Sequence, residues 1–234
     1  MSISGAEITE IFSSVQGEGI FVGARQIFVR FKKCNMKCGF CDTPGDAAEK
    51  EYSATDLMKE VKKIDGSKGP HHSVSLTGGE PLLYSEFLSS FLPHLKKARF
   101  KSYLETNGTL PDSLEEVIDL IDIVAMDFKL PSSTGERAYW KEHQEFLKIA
   151  ARKKVFVKSV VTTDTKKEDV EEAVRLIMMV NKSMPFIIQP VTPVKNCDKR
   201  PGENRLREFL DIALKNGVEN SRVIPQMHKI LGVR

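Results

Sequence analysis

The chain reads as an α/β protein built from parallel βαβ units, and three observations predict this. Short runs rich in β-branched and aromatic residues, at 27–31, within 73–81, and at 102–106, 123–128, 155–161, 186–189 and 222–224, alternate with segments of helical period. Strands that alternate with helices pair in parallel through right-handed crossovers. The polar clusters fall at the C-terminal ends of these strands: the cysteines after 31, then TGGEP, ETNGT, MDFK, TTD, QPVTP and PQMH. That edge is the active-site rim of a β/α barrel. A doubly wound open sheet would gather ligands at one switch point, and no GxGxxG or P-loop is present to fill it. Seven strands nevertheless fall short of a closed eightfold barrel.

Each element follows from its residues. In EIFSSVQGEG, at 10–19, apolar Ile11, Phe12 and Val15 lead into a turn where Gly17 and Gly19 flank Glu18, which reads as a hairpin whose glycines permit close backbone approach. The strand at 27–31 is apolar except for Arg30. A cation inside a strand is rarely buried unless paired, so Arg30 faces solvent or holds a carboxylate in a fork of hydrogen bonds. Ser53 with Asp56 forms a capping pair, and Leu57, Val61 and Ile64 recur at helical spacing behind it. The strand within 73–81 stops at the tight turn TGGEP, where glycine backbone can meet a ligand's ammonium and Glu80 supplies charge. Helices are expected at 86–95, 112–121, 136–151, 166–181 and 203–214. Between them, Asn107 opens an Asn-Gly turn, Asp127 and Lys129 stand as a rim pair, and Gln189 ends an apolar strand where a buried amide needs partners.

The chemistry is concentrated in FKKCNMKCGFCDT. Cys34, Cys38 and Cys41 form a Cys-x3-Cys-x2-Cys run, while Cys197 lies far downstream in a polar loop and reads as a bystander. Three thiolates this close are ligands for one metal centre. A structural zinc site wants four closed ligands, and the next histidines are His71 and His72. Thiolate sulfur suits an iron–sulfur cubane, and three cysteines leave one iron open to an exogenous ligand.

With the aromatic Phe40 before the last cysteine, this run resembles the signature of the radical S-adenosylmethionine (SAM) enzymes. The resemblance implies an open partial (β/α) TIM-like barrel with a side gap for substrate. It also implies a [4Fe-4S] cluster whose open iron chelates SAM, and a 5′-deoxyadenosyl radical that abstracts hydrogen from an unactivated carbon. By position it places Phe40, Asp42, Gly78, Gly79, Glu80, Glu105 and Asn107 against SAM. Asp127, Phe128 and Lys129 follow, with Lys129 on the SAM carboxylate, and Gln189, Pro190, Val191 and Thr192 touch adenosine.

Within that family, SSVQGEG before the first strand, CDT at the third cysteine and the ending PQMHKILGVR resemble the 7-carboxy-7-deazaguanine synthases over nearly the whole chain. The family contracts the ring of 6-carboxy-5,6,7,8-tetrahydropterin to 7-carboxy-7-deazaguanine with loss of ammonia, on the way to 7-deazapurines such as queuosine. The resemblance implies that Val15, Gln16, Gly17 and Glu18 hold the pterin, that Arg30 meets its carboxylate and that Thr77 bonds it. His228 and the terminal carboxylate of Arg234 would close the site. Thr43 would ligate a Mg2+ ion that also binds substrate, since magnesium takes hard oxygen and keeps waters. A reducing partner such as flavodoxin and a homodimer are further implications. So is a layout with 1–26 as a substrate-side segment, 27–225 as the barrel and 226–234 as a closing tail.

Composition sets the outer bounds. With 234 residues, 41% hydrophobic and 29% charged, the chain can bury a full core as one domain. A net charge of +3 with lysines scattered among acids is no nucleic-acid footprint. No apolar run is long enough for a membrane span, the start lacks a signal-peptide layout, and free thiols suit the cytoplasm. Two other readings share the cysteine spacing: an activase that makes a glycyl radical on a partner protein, and a non-catalytic zinc or redox module. His71, His72, His94 and His143 have nothing around them that argues for a role.

Overall fold

A computed structural model of the chain describes residues 5–41, 48–193 and 199–233. The seven expected strands are present as β2 (Arg25–Phe31), β4 (Ser73–Gly78), β5 (Ser102–Thr106), β6 (Ile123–Asp127), β7 (Lys154–Val161), β8 (Phe186–Pro190) and β9 (Ser221–Val223). They pair in that order, all in parallel. β9 ends the hydrogen-bonded order without returning to the first strand, so the sheet is an open partial (β/α) barrel.

Two strands extend it beyond the expected seven. β1 (Ala6–Val15) runs antiparallel to β2, and β3 (Lys50–Tyr52) antiparallel to β1. β1 and β2 are the hairpin expected around Gly17, closed where Gln16 N–H donates to the Ala24 carbonyl at 2.8 Å.

Helices α1 (Ala54–Lys68), α2 (Ser85–Lys97), α3 (Pro111–Val117), α5 (Trp140–Ala150), α6 (Lys167–Val180) and α7 (Glu203–Lys215) connect the strands, with the short α4 (Pro131–Thr134) and α8 (Met227–Leu231) beside them. Ser53 Oγ accepts from Asp56 N–H at 3.1 Å and caps α1, as its spacing suggests. The helix expected from 136 begins only at Trp140, because Gly135 turns left-handed (φ 77°) after α4 and Glu136 instead accepts from Lys37 N–H.

Strand periodicity decides where the site lies. Residues Val124, Met126, Val157 and Val161 point to the helices and join the main core. Alternate residues point inward, and along each strand they change from apolar to polar. Tyr103, Ile123, Ala125, Phe156 and Ile187 form a small apolar plug with Phe21, whose ring meets Tyr103 edge-on at 5.7 Å. Two residues further along the same strands stand Glu105, Lys158 and Gln189, with Asp127 two residues beyond Ala125. The plug therefore floors a cavity whose walls are charged.

Candidate active site

The cavity encloses about 230 Å³, and all three cysteines of the run line it. Cys34 and Cys41 are exposed and Cys38 half-buried. Their loop is held from several sides. Asn107 Nδ2 donates to Asn35 Oδ1 at 2.8 Å, Asn35 Nδ2 to Thr109 Oγ1 at 2.9 Å, and Gly39 N–H to the Thr134 carbonyl at 3.1 Å. Phe40 packs on Val160 and Val191 beside Cys38. Burial pushes the Cys38 thiol up to about 11, against the pull of Lys129. Such thiols become ligands when a metal displaces their protons. Among the described residues no three Cys, His, Asp or Glu side chains could hold a single metal ion.

The two glycines of TGGEP serve close approach. Gly78 has φ 109°, and a Cβ on Gly79 would lie 2.1 Å from the Lys33 carbonyl oxygen. Both line the cavity under the cysteine loop, whereas Glu80 does not. Glu80 is fully buried, accepting from Leu82 N–H at 3.1 Å, Thr106 Oγ1 at 2.9 Å and Asn107 N–H at 2.8 Å. Burial outweighs these donors and raises its carboxyl to about 7. Its carboxyl is engaged by the turn itself, whereas the sequence alone points it at a ligand. Phe128 and Pro190 are likewise buried behind the wall, Phe128 against His143 with rings 4.6 Å apart.

A chain of alternating charge runs along the wall above that floor. Asp127 Oδ2 accepts from Lys129 Nζ and Lys158 Nζ, each at 2.8 Å, and Lys158 Nζ lies 2.8 Å from Glu18 Oε2. Gln226 Nε2 donates to Glu18 Oε1 at 2.6 Å. Burial alone would raise both carboxyls. Lys158 instead holds Glu18 down to about 2, and Lys129 with Lys158 lowers Asp127. Asp127 Oδ1 and Gln189 Oε1 are buried oxygens without a partner, on residues that line the cavity. Val191 and Thr192 continue that wall, and Lys129 Nζ stands 5.6 Å from the Phe40 ring centroid.

The opposite wall comes from the N-terminal hairpin. Gln16 donates through Nε2 to Glu105 Oε1 at 2.8 Å, where Ser75 Oγ also donates at 2.9 Å, and Thr77 Oγ1 donates to Glu105 Oε2 at 2.8 Å. Glu105, expected beside SAM, thus belongs to the same network as Gln16 and Thr77. Arg30 is braced by Glu10 through Nε at 3.0 Å and lies over Phe12, which stacks on Phe28 with centroids 5.2 Å apart. Val15, Gly17 and His228 complete this side. Met227 N–H donates to the Gly17 carbonyl at 2.8 Å, so the tail bearing His228 is seated on the hairpin turn.

Asp42, Thr43, Cys197 and Arg234 lie outside the described residues. Among the residues that line the cavity without being singled out by the sequence are Lys158, Gln226 and Phe12. A signal existed for Lys158, a lysine within the apolar run KVFVKSVV, of the same kind that singled out Arg30.

Known proteins resemble the chain along its whole length. Residues 28–180 match the Radical SAM superfamily. A 7-carboxy-7-deazaguanine synthase of Geobacter sulfurreducens is 37% identical over 99% of this chain and 99% of its own. Its counterpart in Methanothermobacter thermautotrophicus is 35% identical over 100% of both chains. A crystal structure of QueE from Escherichia coli superposes with a TM-score of 0.65 at 21% identity, covering 96% of this chain and 95% of that one, which shows a shared fold. At this identity over full length, the chain belongs to the 7-carboxy-7-deazaguanine synthase family of radical SAM enzymes.

Proposed function

We propose that the chain converts 6-carboxy-5,6,7,8-tetrahydropterin to 7-carboxy-7-deazaguanine with loss of ammonia, in a 7-deazapurine (queuosine-type) pathway. The observation that carries this reading is a single cavity that joins the cysteine run to the Gln16, Glu18, Arg30 and Thr77 wall.

The residues present fit the cofactors. Cys34, Cys38 and Cys41 are a three-thiol donor set for a [4Fe-4S] cluster with one open position. Gly78, Gly79, Lys129 and the unpartnered oxygens of Asp127 and Gln189 offer SAM a backbone cradle, a cation and two acceptors. When bound, cluster and SAM supply the radical that takes a hydrogen atom from the substrate. The chain's residues then bind and orient. Arg30 presents its guanidinium fork to the substrate carboxylate. Glu18, ionised above about pH 2, accepts from pterin N–H groups across the working range. Glu105, fixed by three donors, does the same on the other side, and Phe12 with Phe28 keeps water from that face. Asp42 sits with SAM and Thr43 ligates Mg2+ beside the substrate, while His228 and Arg234 close the mouth. In this reading Thr43→Ala spares SAM cleavage and loses magnesium stimulation; unchanged magnesium dependence contradicts the assignment. A reducing partner such as flavodoxin supplies the electron, and the enzyme works as a cytoplasmic homodimer without direct nucleic-acid or membrane partners. No helix among the described residues is long and apolar enough to cross a membrane.

The reading is tested by substrate choice. Reconstituted enzyme turns over 6-carboxytetrahydropterin and not the same pterin without its carboxylate, and Arg30→Met lowers kcat/KM for the former by about 100-fold, two tenfold steps of lost charge-assisted binding. Equal turnover of both pterins contradicts it.

A further inference from the structure

Glu18 and Asp127 face each other across one buried ammonium. Lys158 Nζ lies 2.8 Å from Glu18 Oε2 and 2.8 Å from Asp127 Oδ2, and the lysine is only 8% exposed. Asp127 in turn divides its Oδ2 between Lys158 and Lys129. The set Glu18, Lys158, Asp127, Lys129 is neutral as a whole, and each inner member is shared by two neighbours. Inside a protein such shared contacts compete, because strengthening one weakens the next.

We infer that Lys158 is a positioning residue that relays occupancy of the Glu18 side of the cavity to the Lys129 side, so that substrate and SAM bind cooperatively. The inference rests on the function proposed above. A donor from the substrate that engages Glu18 draws this carboxylate off Lys158. Lys158 then leans on Asp127, and Asp127 loosens its hold on Lys129. The freed Lys129 ammonium becomes available to a SAM carboxylate. The other charged group acting on Glu18 is His228, from the tail, and Gln226 bonds the oxygen that Lys158 does not. Lys158 bonds both carboxylates and is the bridge between them.

The test is a double-mutant cycle on SAM binding to the cluster-loaded enzyme, with no pterin present. Glu18→Gln mimics a carboxylate withdrawn from Lys158, and it tightens SAM binding by about fivefold, the lower end of ordinary coupling between sites. In a Lys158→Met background the same substitution changes SAM affinity by less than about twofold, and in Lys158→Arg, which keeps the cation, the tightening returns. The Arg background also answers the case in which Lys158→Met fails to fold. Absence of tightening in the wild-type background, or equal tightening with and without Lys158, overturns the inference. Because SAM alone is the probe, a wild-type enzyme that ignores the pterin would remove the substrate reading while the cycle still decides the relay.

Discussion

Asn107, at the end of β5, donates its side-chain amide to Asn35 Oδ1 at 2.8 Å, and Asn35 directly follows the first cysteine of the metal loop. The same Asn107 accepts from Thr109 N–H and Oγ1, at 3.1 and 2.6 Å, so the turn after β5 and the cysteine loop are one hydrogen-bonded unit. Asn107→Ala removes the acceptor of Thr109 N–H and Oγ1 in a buried turn and leaves Asn35 with its bond to Thr109 in place of two anchors. The expected cost is about 2 kcal/mol, with iron and sulfide content after reconstitution falling well below wild type. Full cluster content in the variant would show that the loop holds itself.

Cluster occupancy also separates the cysteines. Cys34→Ala loses the visible absorbance of the reconstituted protein, because two remaining thiols cannot hold a cubane. Cys197→Ala keeps it. Equal loss in both variants would overturn the assignment of the three-cysteine run.

A methyl group on Gly17 would fall 2.0 Å from His228 Nδ1 and 2.6 Å from His228 Cβ. No rotation of the ring relieves a clash with Cβ, so Gly17→Ala lifts the tail from the hairpin. Pterin KM rises about tenfold, one factor of 1.4 kcal/mol, while the melting temperature barely moves, since α8 contributes no fully buried residue. Protease sensitivity near the C terminus increases alongside. An unchanged KM would remove His228 from the substrate wall.

His143 is buried against Phe128 and donates through Nε2 to the Asn107 carbonyl at 3.1 Å. Burial depresses its pKa from the ordinary 6.5 to about 4. Between these values the unfolded chain binds the proton and the folded one does not, so stability falls as pH drops from about 6.5 toward 4. The contribution is on the order of 3 kcal/mol at most. His143→Gln, which keeps a donor for Asn107, flattens the slope of denaturant midpoint against pH in that window. A slope equal to wild type would place the acid sensitivity elsewhere.

The parallel strands were legible because their two-residue period and the intervening helical period are both strong in the sequence. β3 was not, since KEY carries no apolar pattern and forms by pairing with β1. Residues at the rim were legible as a set, because glycines, amides and charges cluster where strands end. Their division of labour was not. Glu80 and Glu105 each precede a turn at a strand end, yet one is walled in by backbone donors and the other faces Gln16 across 89 residues of sequence. Such long-range partners leave no local pattern. Lys158 had a local sign, but its importance lies in standing between two carboxylates from distant segments.

The most direct test is anaerobic turnover of the reconstituted wild-type chain with SAM, a reductant, magnesium and 6-carboxytetrahydropterin, read by mass spectrometry. The account predicts 7-carboxy-7-deazaguanine, formed only when the pterin and SAM are both present. Continued release of 5′-deoxyadenosine with no deazaguanine would contradict it, and would turn attention to a protein substrate for the same radical.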